Sequence, residues 1–269
     1  MNKVAVIMSV YLKDSLPYVV SAVNSILEQT YVSFDFFIIE DGRLDPDVDA
    51  FLSGIGDERV ILQKREQNRG LAKSMNELLD KILALKYEYI ARMDADDISM
   101  PERFAKQFSF MEKHKQVDCV GTWAVEINEV GSIFYRKKMP ESHSDCYKLF
   151  QKRDCLVHPT VLFRKRFFEK AGLYPEDTYY AEDTMMWANG FATGCIFANI
   201  PEYLYKFRLD KDFFKRRRGW KHAIAIYKLR RRVNKKLNYP MITNLYAIMY
   251  AVAKMMPTFI LNIIYKVSR

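Results

Sequence analysis

Two kinds of hydrophobic pattern alternate along the first hundred residues. VAVIMSVY (4–11), FDFFIIED (34–41), RVILQKRE (59–66) and YEYIARMD (87–94) are short apolar runs rich in β-branched and aromatic residues. LPYVVSAVNSILEQ (16–29) and GLAKSMNELLDKILALK (70–86) instead repeat their apolar positions every three to four residues. Short runs of this kind read as buried strands and the longer periodic ones as amphipathic helices, so the order predicts βαβ units around a parallel sheet. Such sheets present their ligand sites at the carboxyl ends of the strands. Three predicted strand ends carry polar groups: Ser9 and Tyr11, then Glu40 and Asp41, then Asp94, Asp96 and Asp97.

The second half is more mixed. PERFAKQFSFMEKHK (101–115) predicts a helix with Pro101 in its first turn and Ser99 as cap. CVGTWAVEINEVGSIFYRKKMP (119–140) alternates about Gly131-Ser132 and reads as a hairpin. A helix through DCYKLFQKR, a short strand in HPTVLFR, a helix RKRFFEKAG ended by Gly172 and another helix from near Glu182 follow, and the strand-like IFANIPEYLYKF closes the compact part. The DPD after Gly42 reads as a turn. There is no internal repeat and no low-complexity segment.

The 269 residues are 49% hydrophobic, enough for a sizeable core in one large α/β domain or two small ones. The net charge of +9 is local: residues 211–240 hold twelve Lys and Arg against Asp212 alone, an excess larger than that of the whole chain. MITNLYAIMYAVAKMMPTFILNIIYKVSR (241–269) is apolar but interrupted by Lys254, Pro257 and Asn262, short of the ~20 clean apolar residues a bilayer span needs. A basic run followed by such a segment reads as an interfacial anchor on an anionic membrane surface, the alternative being a basic helix followed by one that packs on the domain. Without stacking aromatics or a reading motif, the basic run does not predict nucleic acid as partner. The first apolar run is too short for a signal peptide or a membrane span. Cys119, Cys146, Cys155 and Cys195 have no CxxC spacing and no His at zinc-site distance, so they read as reduced, buried thiols of a cytosolic protein.

Aspartates clustered at a strand end repel one another and persist where a hard cation or a sugar-nucleotide needs oxygen ligands. Asp94 and Asp96 face the same side of an extended segment. QNRGLAKSMNELL sets Asn68, Arg69 and Gly70 before a helix whose N-terminus can face an anion. Other readings compete. DADDI approximates the nucleophile loop of haloacid-dehalogenase-like phosphatases, although that loop normally follows the first strand of its domain. A nucleotidyltransferase would carry a Gly-rich loop after the first strand, and VYLKDSLPY has no Gly.

The pieces SVYLKDSLPYVVSAVNSILEQTY, FFIIEDG, NRGLAKSMN, RMDADDISMPERF, HPTVLFRK and AEDTMMW, in that order over about residues 3 to 210, resemble an inverting glycosyltransferase of family 2 with the GT-A fold, of the kind that assembles bacterial surface polysaccharides. The resemblance implies a Rossmann-like, mostly parallel sheet flanked by helices. It divides the chain into a catalytic domain over 1–209, with nucleotide-sugar (1–97) and acceptor (98–209) halves, and a basic, amphipathic, membrane-associating tail over 210–269. Ser9, Tyr11, Asp41, Arg69, Asp94 and Asp96 are then the nucleotide-sugar residues, Asp41 meeting the base, Arg69 the nucleotide or its phosphates, and Asp94 the ribose and donor sugar. Asp96 corresponds to the ligand of a Mn2+ or Mg2+ cofactor, and Asp183 to the catalytic base. His158 and Glu182 fall beside the acceptor or diphosphate. EDGRLDP departs from the family's usual EDGSTD, with Glu40 where many relatives have a second Asp.

The implied reaction moves a sugar from a nucleotide-sugar, expected to be a UDP-sugar, to a lipid-linked saccharide on polyprenyl diphosphate. The enzyme would be cytoplasmic and peripheral on the inner face of the cell membrane, acting in capsule or O-antigen synthesis. Trp123, Tyr180 and Trp187 are candidates for stacking on sugar faces, with burial in the core as their alternative.

Overall fold

The computed structural model describes residues 3–178, 181–209, 217–257 and 260–261. Within these, β1 (Val4–Val10), β2 (Phe34–Glu40), β3 (Val60–Lys64) and β4 (Tyr89–Asp94) form a parallel block in the order β3-β2-β1-β4. The predicted helices α1 (Leu16–Leu27) and α3 (Leu71–Leu83) are among its crossovers. Between β2 and β3 the sequence reading of a turn falls short, because α2 (Pro46–Ser53) forms there. Asp45 caps it by accepting from the Asp47 N–H at 3.0 Å, and Pro46 sits in its first turn, where its missing N–H costs nothing.

The sheet continues through β8 (Leu162–Arg164), antiparallel to β4, then β6 (Cys119–Ile127), β9 (Phe197–Arg208) and the two-residue β5 (Ile98–Ser99). β7 (Ile133–Lys137) completes the predicted hairpin with β6, turning through Gly131 at φ +84°. Ser99 does not cap the following helix, as the sequence suggested. It lies in β5 opposite Tyr205, and α4 (Arg103–Lys113) begins four residues later. Residues 158–160 form a single 3-10 turn, and α5 (His143–Phe150), α6 (Lys165–Ala171) and α7 (Glu182–Ala192) complete the domain.

Alternate residues of β1 separate two cores. Val4, Val6, Met8 and Val10 pack with α1, α2 and α4, whereas Ala5 and Ile7 face α3, α5, α6 and α7. The second core extends into the C-terminal segment. In α8 (Trp220–Lys236) Leu229 and Val233 are buried, and Leu237 and Tyr239 beyond it join the same cluster. At ~1.5–3 kcal/mol per fully buried aliphatic side chain, these contacts hold α8 firmly on the domain. α9 (Thr243–Met255) packs on α8 through the buried Thr243 and Ala247. None of the helices among the described residues is long and apolar enough to cross a membrane. Tyr180, Lys211, Lys215, Arg216 and residues 262–269 of the predicted anchor lie outside the described residues.

Candidate active site

The parallel register sets the strand ends side by side. Ser9 pairs with Asp94 across β1 and β4, Val10 pairs with Glu40 across β1 and β2, and the Asp41 N–H donates to the Val10 carbonyl at 2.7 Å. Ser9, Asp41 and the carboxylates of residues 94–97, far apart in sequence, thus line one edge of the sheet. Tyr11, just beyond, is 36% exposed, and its N–H donates to Asp14 Oδ2.

Asp41 is buried, and its carboxylate organises the turn before α3. It accepts from the Arg69 N–H at 2.7 Å and the Gly70 N–H at 2.9 Å, and it also pairs with Arg65. A carboxylate has about four acceptor sites, so these three donors leave one open. The Arg69 side chain is half-exposed, with its guanidinium 3.9 Å from Glu77. Lys64 reaches the buried Glu40 at 3.5 Å, while burial raises the Glu40 pKa.

Gly42 permits this arrangement. Its φ is +89°, and a Cβ there would stand 2.6 Å from the Asn68 nitrogen. Gly42→Ala is expected to cost ~1–3 kcal/mol and to loosen the Asn68-Arg69-Gly70 turn. Gly56→Ala, with open space around it, is the control. Denaturant midpoints check the pair, and equal midpoints would contradict the steric argument.

The carboxylates at the end of β4 rest on two buried arginines. Arg92 pairs with Asp94 and also reaches the Met93 carbonyl. Burial works against its charge, but Asp94, Tyr174 and Tyr205 outweigh that and hold it protonated. Arg103 donates to the Pro159 carbonyl at 2.9 Å and the Arg92 carbonyl at 3.2 Å, and its guanidinium lies over the Tyr205 ring at 5.1 Å. Burial lowers the Arg103 pKa to about 10. The sequence pattern singles out neither arginine, because nothing in the strand that holds Arg92 or the helix that begins at Arg103 marks an inward-facing cation.

Asp97 is the anchor of the cluster. Its Oδ1 accepts from the Arg208 N–H at 2.6 Å, and its Oδ2 is buried near the Tyr205 hydroxyl without a well-formed hydrogen bond. Arg208 fixes the loop further: Nε donates to the Asp96 carbonyl at 2.8 Å and Nη1 to the carbonyls of Asn128 and Glu129, with Tyr18 beneath its guanidinium. Burial, then Asp96 and Asp94, push the Asp97 carboxyl well above the usual range despite the Arg208 N–H. Ligand oxygens of Asp94, Asp96 and Asp97 lie within 4.8 Å of one another. This set of mutually repelling carboxylates with an unsatisfied buried oxygen fits a hard divalent cation.

The first turn of α7 carries a second group of acidic side chains. Asp183 sits in the helix's first turn, where the helix dipole favours acids, and its Oδ1 accepts from the Thr184 N–H at 2.7 Å. Burial, then the neighbouring Asp154 and Glu182, raise its pKa to about 7, against the lowering effects of the Thr184 N–H and Arg217. A carboxylate poised near neutrality is a competent general base. Glu182 precedes it, partly buried.

His158 Nε2 and the Tyr174 hydroxyl are hydrogen-bonded at 2.9 Å. Burial and Arg92 push the His158 pKa well below its ordinary value, so the ring is neutral. Asn76 of α3 binds the Tyr174 backbone from both sides, donating to its carbonyl at 2.9 Å and accepting from its N–H at 2.8 Å. Trp187 is fully buried against Phe163, Phe197 and His158, the core role rather than a sugar platform. Trp123 is partly exposed, with its indole N–H donating to the Met139 carbonyl.

Residues 5–172 match the glycosyl transferase family 2 domain, and the chain belongs to that family. It is 29% identical over 269 residues to the amylovoran biosynthesis glycosyltransferase AmsE of Erwinia amylovora, with 98% of each chain covered. It is 30% identical over 227 residues to the UDP-Gal:alpha-D-GlcNAc-diphosphoundecaprenol beta-1,3-galactosyltransferase of Escherichia coli, covering 83% of this chain and 80% of that one. The mannosyltransferase PcManGT of Pyrobaculum calidifontis, solved in complex with GDP-Man and Mn2+, superposes with a TM-score of 0.62 at 14% identity, over 98% of this chain and 79% of that one. The protein is therefore a glycosyltransferase with a GT-A-like fold, as its motifs implied. In this fold the DADD segment follows the fourth strand rather than the first, unlike the phosphatase loop it resembles in sequence.

Proposed function

We propose that the chain is an inverting glycosyltransferase that moves a sugar from a UDP-sugar to a lipid-linked saccharide diphosphate in surface-polysaccharide synthesis. The observation that carries this reading is the alignment of Ser9, Asp41 and Asp94 at adjacent strand ends, beside the carboxylate cluster completed by Asp96 and Asp97. Asp41 and the turn at Arg69 bind the nucleotide, and Ser9 and Asp94 its ribose and sugar. Asp96, with Asp94 beside it, would hold a Mn2+ or Mg2+ ion, which when bound offsets negative charge on the diphosphate. Asp183 takes the proton of the acceptor hydroxyl as that oxygen forms its bond to the anomeric carbon. The bond from that carbon to the diphosphate oxygen breaks on the opposite face, so one displacement inverts the centre and the nucleotide diphosphate leaves with the electron pair.

Calorimetry with UDP, GDP and CMP, with and without Mn2+, tests the donor. Tight binding of UDP that requires the ion is the expected result, and binding of GDP or CMP in its place would overturn the UDP assignment.

The lipid-linked acceptor draws support from α9. Leu245, Ile248, Met249, Val252 and Met255 recur at helical spacing and are each about half-exposed, and Met241 and Ile242 precede them. This apolar stripe stands next to the basic α8, an arrangement suited to an anionic bilayer surface. Replacing Leu245 and Met249 together by Asp is expected to weaken binding to phosphatidylglycerol vesicles about 30-fold, from ~1 kcal/mol of lost burial at each. Undiminished co-sedimentation of the double variant would refute the anchor.

A further inference from the structure

α8 contributes one charge to the interior. Arg230 is buried, with its guanidinium over the Phe150 ring at 5.5 Å. It donates to the Phe150 carbonyl at 3.2 Å and to Asp154 Oδ1 at 3.3 Å. Asp154, in the loop after α5, in turn accepts from the Thr184 hydroxyl, which stands 2.9 Å from both carboxylate oxygens. Thr184 directly follows Asp183 and gives it a backbone N–H. A continuous chain of contacts therefore runs from α8, through Asp154 and Thr184, to the first turn of α7.

We propose that Asp154 and Arg230 are positioning residues for Asp183, Asp154 fixing the first turn of α7 through the Thr184 hydroxyl and Arg230 holding Asp154 and balancing its charge. The inference rests on the reading of Asp183 as the base. None of its donors is a surface side chain seeking a partner: Arg230 spends buried hydrogen-bonding capacity on Asp154, and Asp154 receives both the guanidinium and the hydroxyl. Besides Asp154, the charged groups acting on Asp183 are Glu182 on its own helix and Arg217 just before α8, and the Tyr174 hydroxyl also lies within its influence. Asp154 is the nearest of these to a control element, because its charge is itself answered by a residue of another helix.

Opposite charge changes at the two positions separate positioning from mere support. Release of nucleotide from the sugar derivative of whichever nucleotide binds, with water in the acceptor's place, is followed against pH in the full-length chain. Arg230→Gln leaves Asp154 unbalanced, so the acid limb of the profile is expected to move to higher pH. Asp154→Asn keeps an acceptor for Thr184 and removes the negative charge, so the limb is expected to move to lower pH. Thr184→Val is expected to lower kcat about 10- to 100-fold with the donor KM unchanged, and Thr184→Ser to restore it. Should Arg230→Gln not fold, Asp154→Asn and the Thr184 pair decide. Variants that change the rate without moving the limb in these directions, or a Thr184→Val with full kcat, would overturn the proposal. An Asp183→Asn control that retains full activity would instead overturn the base assignment itself, so the two failures are distinct.

Discussion

Asp183→Asn is expected to slow sugar transfer by a factor of about 10²–10⁴ while leaving nucleotide binding within about twofold of the parent. The substitution keeps the side chain's shape and its acceptor for the Thr184 N–H but removes the carboxylate proposed to receive the acceptor's proton. The wild-type rate should rise with pH through about 7 and then level, since the raised carboxyl works only when ionised. Stability should run the other way. The folded protein holds this proton more tightly than an unfolded chain, whose carboxyl titrates near its ordinary value. The stabilisation is complete at acid pH and is lost as pH rises through about 7. The Asn variant should therefore melt higher than the parent at pH 8. Single-turnover rates and melting curves at pH 6 and 8 check both halves, and a variant that transfers sugar at the parental rate would remove Asp183 from the mechanism.

Asp96→Ala is expected to abolish the metal-dependent part of nucleotide affinity, a loss of at least about 100-fold, because even residues behind metal ligands commonly contribute 10- to 100-fold. Its effect on stability should be small or favourable. Asp96 is one of the charges that hold the buried Asp97 in an unfavourable state, so its removal relieves repulsion. Asp97→Ala should do the opposite, breaking the bond to the Arg208 N–H and freeing the loop from β9. Calorimetry and melting curves on both variants separate a ligand from an anchor. Retention of Mn2+-dependent binding by Asp96→Ala would exclude it as the ion's holder.

The parallel block and its polar ends were legible because strand and helix periods differ and because a buried strand that ends in aspartates is unusual. That Ser9 and Asp94 share one edge follows from the alternation of elements, but their pairing across β1 and β4 depends on a strand order that alternation does not encode. The helix after Asp45 was missed although Asp45-Pro46 is a sound start signal, since the same residues also describe a turn. Ser99 was misplaced because a two-residue strand has no period to detect. Arg208 and Arg230 act through partners 111 and 76 residues away, and no local pattern encodes such pairings. Asp183 stood out only through resemblance, as an acid in a helix's first turn is ordinary by itself. Its environment of Asp154, Glu182 and Arg217 appears only when separate segments are brought together.

The packing of α8 has a practical corollary for work on this enzyme. Trimming the chain after Leu209 to improve its handling would strip Leu229, Val233, Leu237 and Tyr239 from one wall of the domain and uncover the aromatic surface around Phe150 and Phe191. The product would be a stickier protein rather than a simpler one. Detergent or charge substitutions along the outer stripe of α9 offer the better route to a tractable sample, because they leave that wall standing.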